Sequence, residues 1–185
     1  MGFTIEELGG KESGGHKMNE HDFSEIYAIM EVSFPESECR TFDSQKALLK
    51  HPGYRIITEK NEQGNTVAFL AGWDFTQFRF VEHIAVDSSI RGGGLGKKLM
   101  SRFISESDKP VVLEVEPPVD EWTRRRIGFY ERLGFHLNHF EYVQPPLREG
   151  QADLRLQIMS YPVELSEQEF APYKQLLYTE VYGLK

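Results

Sequence analysis

Seven residues constrain this chain more than any others: Arg91-Gly92-Gly93-Gly94-Leu95-Gly96-Lys97. They follow a run of strong strand formers, FRFVEHIAV (78–86), with DSSI between, and they lead into a helical pattern, LGKKLMSRFISES (95–107). Glycines at a strand-to-helix junction let the backbone turn sharply and let a ligand approach the amide N–H groups. Those amides and the positive end of the helix dipole make an anion site, and Arg91 and Lys97 add charge beside it. Two nucleotide-binding templates fail. A dinucleotide fingerprint starting at Gly92 needs glycine where Lys97 stands, and one starting at Gly94 needs it where Leu99 stands. A Walker loop ending in Gly96-Lys97 needs glycine at Arg91 and Ser or Thr at Lys98.

The rest of the chain alternates between two periods. Phe23, Ile26, Tyr27, Met30 and Phe34 recur at helical steps, with Asn19 or Asp22 as cap and Pro35 as stop. A charged loop, 34–40, precedes a short helix at 44–51. Segments 54–60 and 66–75, joined by Asn61-Glu62-Gln63-Gly64-Asn65, read as a hairpin, and 78–86 extends it to a meander. Then follow a helix (95–107), a strand (109–116), a helix (120–133) ended by Gly134, two strands (135–143 and 153–161) and an amphipathic helix from Ser166 onward. Residues 1–17 read as a leader or flexible N-terminal segment because 9–15 is Gly- and Ser-rich, with FTIEE as an alternative first strand. Residues 18–185 read as a single domain.

Arg91, Gly94 and Gly96 also meet a third template, [QR]-x-x-G-x-[GA] after a strand. This resembles the pyrophosphate-binding turn of the GNAT superfamily, the acyl-CoA-dependent N-acyltransferases. Ile84-Ala85-Val86-Asp87 before the loop and IGFYERLGF (127–135) after it resemble the flanking signatures. The resemblance covers about 23–161. It implies an α/β (α+β) fold with a mixed, mostly antiparallel twisted sheet of six to seven strands flanked by helices. It implies acetyl-CoA as co-substrate, held by Ile84, Ala85 and Val86, by the loop residues Arg91, Gly92, Gly93, Gly94, Leu95, Gly96 and Lys97, and by Thr123 and Arg126 on the later helix. Thr123 and Arg126 stand where many relatives carry Asn and Ala. Backbone N–H groups near Ala85 and Val86 are the implied oxyanion donors, and Tyr130 the implied acid.

Acyl transfer to an amine needs a neutral nucleophile, a donor for the oxyanion and a proton for the leaving thiolate. A phenol stays protonated at neutral pH, so Tyr130 suits the last role. For the base, strict alternation along 78–86 puts Glu82 on one face with Ile84 and Val86, and Val81, His83 and Ala85 on the other. Several relatives carry a His or Glu base at the position of Glu82 or of Phe80, so the resemblance makes Glu82 a candidate base, while His83, on the opposite face, reads as structural. Glu114 and Glu116 share a face of the next strand, and Glu116 is the second candidate. Glu36, Glu38 and Arg40 lie on the acceptor-side loop.

Composition narrows the partners. Twenty-one Lys+Arg against 29 Asp+Glu leave a net charge of −8, which opposes nucleic-acid binding and is compatible with a cationic substrate. No apolar run approaches the ~20 residues of a membrane span, and the N-terminus lacks a signal pattern. The lone Cys39 excludes an intrachain disulfide and a paired-cysteine zinc site, so no metal is expected and a reducing, cytoplasmic setting fits. The expected activity is acetyl transfer from acetyl-CoA to a primary amine of a small molecule or peptide, with a homodimer left open. The alternative is a non-catalytic acyl-CoA-binding or interaction module on the same fold.

Overall fold

The computed structural model describes residues 18–184; the leader and the FTIEE strand expected within 1–17 lie outside the described residues. Helix α1 (Glu20–Ser33) starts at Asn19, whose Oδ1 accepts the Asp22 N–H at 2.8 Å, and buries Phe23, Ile26, Tyr27 and Met30. Helix α2 (Phe42–Ala47) runs on into a 3-10 turn, Leu48–Lys50. The strands β1 (Tyr54–Lys60), β2 (Thr66–Asp74) and β3 (Arg79–Val86) form the expected meander. Helix α3 (Leu95–Ser105), strand β4 (Val111–Val115) and helix α4 (Glu121–Glu131) follow. Among the described residues, no helix is long and apolar enough to cross a membrane.

The segment 135–143, expected as one strand, is two: β5 (His136–Leu137) and β6 (Tyr142–Gln144). Both pair antiparallel with β7 (Leu154–Tyr161). The break follows from Asn138, a fully buried polar side chain that must find partners. Its amide bonds Ser160 Oγ at 3.1 Å and accepts the Leu165 N–H at 2.8 Å, which ties β5 to the start of the last helix. That helix, α5 (Glu167–Leu176), is capped by Ser166 and continues as a π-helical turn, Leu177–Val181.

The sheet order is β1-β2-β3-β4-β7-β5, with β6 also on β7, and only β3–β4 is parallel. Side chains alternate between two cores. Phe69, Trp73 and Phe80 meet α1 and the last helix on one face. Leu70, Val81 and Leu113 meet α3 and α4 on the other.

Two irregularities create the site. First, β3 and β4 pair only over Arg79–Val81 and Val111–Leu113. Beyond that point they splay, and the edges of 82–86 and 114–116 face a gap. Second, the β2–β3 register shifts between Ala71 and Gly72, which oppose His83 and Val81 and leave Glu82 as the extra residue of a bulge. Gly72 allows this closeness, since a Cβ there would lie 2.7 Å from the Phe80 carbonyl oxygen. The bulge corrects the alternation expected from the sequence. Glu82 bonds Trp73 Nε1 at 3.2 Å and His83 packs on Phe34, so both face the α1 side, while Ile84 and Val86 face α3 and α4.

Candidate active site

The gap opens into a cleft of about 820 Å³ between α1, the glycine loop and α4. Asp87 begins the loop, its carboxylate accepting the Ser89 N–H at 2.8 Å. Gly92 and Gly94 take φ of +95° and +75°, the left-handed region open to glycine at little cost. Gly94 is the N-cap of α3, so the first amides of that helix have no partner within it. Residues 91–97 line one end of the cleft, and Ile84, Ala85 and Val86 line its β3 wall. The Asp87 N–H bonds Val67 on β2. By alternation of amide direction along the strand, the N–H groups of Ile84 and Val86 point the other way, toward the open edge.

Of the residues expected at the cofactor from α4, Arg126 lines the cleft and reaches Glu116 at 3.3 Å. Thr123 does not line it. Its hydroxyl closes a capping box with Asp120, which explains why a buried threonine stands there.

Tyr130 stands where the cleft meets a second, smaller pocket. Its ring packs between Phe129 and Phe135 at centroid distances of 5.2 and 5.9 Å. Its side chain is buried, yet no protein group bonds its hydroxyl among the described residues, in contrast to Tyr27, Tyr142, Tyr178 and Tyr182. Burial pushes the phenol up to about 12, opposed by a smaller downward pull from Arg126 and reinforced by Glu38.

The second pocket carries the carboxylates. Glu82 is buried and ion-paired with Arg40 at 2.5 Å, and Arg40 also donates to the Val181 carbonyl. Burial opposes the charge on Glu82, but Arg40 holds its carboxyl below the usual range. Glu116 is 40% exposed and paired with Arg126. Two further carboxylates, Glu114 and Glu38, have no ion pair among the described residues. Glu114 accepts hydrogen bonds from Tyr142 at 2.5 Å and Tyr182 at 2.7 Å, and burial still pushes it up to about 7. Glu38 is pushed up to about 7 by burial and then by Glu116, against Arg126. Arg148 fixes the loop that carries Glu38, bonding the Cys39 carbonyl at 2.8 Å and pairing with Glu36. His83 Nε2 lies 2.7 Å from the Glu38 carbonyl oxygen.

A profile described as Acetyltransferase (GNAT) family matches residues 21–135. The chain belongs to the GNAT acetyltransferase family. YjbC, an acetyltransferase-family protein of Bacillus subtilis strain 168, is 30% identical over 164 residues, which are 86% of this chain and 82% of that one. A GNAT-family structure from Bacteroides thetaiotaomicron superposes with a TM-score of 0.79 at 32% identity, covering 88% of this chain and 93% of the other. A phosphinothricin acetyltransferase from Sinorhizobium meliloti, solved with AcCoA, shares the fold at a TM-score of 0.56 and 16% identity, over 80% and 86% of the chains. The GNAT profile stops at Phe135, so Gln144, Leu147, Leu156 and Tyr182, which line the far side of the acidic pocket, lie outside it.

Proposed function

We propose that this GNAT protein transfers the acetyl group of acetyl-CoA to a primary amine of a small molecule or peptide, in the cytoplasm. The observation that carries the reading is the unbonded Tyr130 hydroxyl between a glycine-loop cleft and an acidic pocket. The first amides of α3, with Arg91 and Lys97, bind the pyrophosphate. The thioester lies along Ile84–Val86, and the Val86 N–H meets the carbonyl oxygen as charge develops on it. The acceptor enters the acidic pocket and loses its ammonium proton to the Glu38–Glu114 pair. Its nitrogen then bonds the acetyl carbon, the carbon–sulfur bond breaks, the thiolate takes the Tyr130 proton, and the second proton that the nitrogen loses on becoming an amide restores the phenol. Glu82, held ionised by Arg40, is the weaker base of the pocket and keeps its architecture; Glu116 orients Arg126 at the junction. A binding module on the same fold would hold CoA without releasing thiol from acetyl-CoA in the presence of any amine, and that measurement separates the two readings.

Two results are expected. Gly94→Val meets no steric obstacle, since a Cβ there has nothing within 4 Å. A β-branched residue at φ +75° is strained all the same, so the loop must reshape. The variant should stay folded yet lose the rise in melting temperature that CoA produces by mass action; an undiminished rise would remove the loop from cofactor binding. Second, the accepting carboxylates must be ionised. With folded values near 7, kcat/KM for the amine should rise with pH through about 7. Glu38→Gln or Glu114→Gln should lower the plateau, and an unmoved profile in both would exclude the pair as base.

A further inference from the structure

The end of the chain reaches into the acidic pocket, and its role there deepens the function proposed above and rests on it. Glu114 lacks an ion pair among the described residues. Burial opposes its charge, and Glu82 and Glu38 add like charge. Two phenols act the other way, Tyr142 from β6 and Tyr182 just past the last helix. They are not equivalent. Tyr142 is 1% exposed and bonds one carboxylate oxygen at 2.5 Å. Tyr182 lies 2.7 Å from both oxygens and lines the pocket beside them. A phenol has a single proton to donate, so this one bridges the two oxygens, and contact with both restrains the carboxylate from turning about its last bond.

The turn that carries Tyr182 is held on both sides of that contact. Helix α5 continues as the π-helical Leu177–Val181, and the Tyr182 N–H closes it on the Leu177 carbonyl at 3.0 Å. A π turn takes in one residue more than an α turn, so the side chains that follow point elsewhere than an α-helical continuation would send them. Leu177 and Val181 are buried in the core on the α1 face of the sheet. The Val181 carbonyl accepts from Arg40 at 2.7 Å, and Arg40 pairs with Glu82 on the pocket wall. Backbone and hydroxyl of this last turn are thus tied to two different carboxylates of one pocket.

We propose that Tyr182 is a positioning residue, which holds the Glu114 carboxylate in place to take the proton of the acceptor ammonium. A hydrogen bond to the charged form favours that form, so loss of the Tyr182 hydroxyl makes Glu114 harder to ionise. The other charged or titratable groups around the pocket keep their places: Glu38 and Arg40 on the loop after α1, Glu82 and His83 on β3, Glu116 beyond β4, Arg126 and Tyr130 on α4, and Tyr142 on β6.

Tyr182→Phe tests this, since it removes the hydroxyl and keeps the ring, with its edge contact to Tyr178. Thiol release from acetyl-CoA is followed against pH with one acceptor throughout, the fastest of a panel of primary alkylamines and short peptides. The rise in kcat/KM should move to higher pH by about one unit, the low end for a hydrogen bond to a charged group. Glu38 titrates in the same range, so a double-mutant cycle isolates the effect. In Glu114→Gln, adding Tyr182→Phe should leave the profile where it is. Tyr178, one turn earlier, donates to the Val143 carbonyl instead. Tyr178→Phe should therefore lower the melting temperature without moving the profile. An unmoved profile in folded Tyr182→Phe would overturn the inference and leave amine acetylation standing. So would a shift that persists in Glu114→Gln, or an equal shift in Tyr178→Phe. Absence of thiol release with every amine, in protein that melts higher with acetyl-CoA, would overturn the underlying function and this inference with it.

Discussion

Tyr130→Phe should lower turnover by ~10²–10⁴, the usual contribution of a positioned acid, while acetyl-CoA affinity and the melting temperature change little. The separation follows from the hydroxyl's surroundings. No protein group among the described residues bonds it, so its loss leaves none of them unsatisfied, and the ring keeps its contacts with Phe129 and Phe135. A tyrosine that served packing would show the reverse, with stability falling by about 1–3 kcal/mol and activity following the fold. With the phenol raised to about 12, the wild-type acid stays protonated across the neutral range. The Tyr130→Phe profile should accordingly keep the rise near pH 7 and lose only height. Thermal melts, acetyl-CoA titration and kinetics on one variant decide between the two; turnover within a few-fold of wild type would assign the proton to another donor.

Arg40→Ala should cost about 3–5 kcal/mol of stability, the range for removing one partner of a buried ion pair. Arg40 and Glu82 are 7% and 4% exposed, and the guanidinium also holds Val181 in the last turn. The loss therefore reaches the floor of the acidic pocket, where Tyr182 bonds Glu114. The sign with pH is defined. Because Arg40 depresses the Glu82 value below 4.5, the pair contributes stability above the unfolded pKa and loses it as pH falls through the folded one. In Arg40→Ala, burial acts on Glu82 against only the lesser pulls of His83 and Trp73 and raises it, so the variant should be least stable at neutral pH and regain ground on acidification. Adding Glu82→Gln should restore part of the loss. Urea unfolding at two pH values measures both effects, and a loss below about 1 kcal/mol would mean the pair behaves as an exposed one.

Much of the glycine loop was legible in the chain because its geometry is local. Glycines at 92 and 94 are required by positive φ within a few residues of one another, and the helix that follows is specified by its own periodicity. The acidic pocket was much less so. The segment 135–143 read as one strand because nothing nearby announces that Asn138 must serve Ser160 and Leu165, 22 and 27 residues away. Alternation along β3 set His83 apart from Glu82, and it failed where Gly72 admits a bulge, since a period of two holds only while the ladder is unbroken. Thr123 looked like a cofactor contact from its offset to Tyr130, though its hydroxyl serves the helix start. The acidic pocket joins Arg40 to Glu82 across 42 residues and Tyr182 to Glu114 across 68. The sequence by itself therefore determined the order of elements, the glycine turn between strand and helix, and the family. Only the tertiary structure decided which carboxylates lack a cation and which imidazole nitrogen lacks a partner among the described residues, because burial and pairing are set by distant segments and leave no periodic trace in the chain.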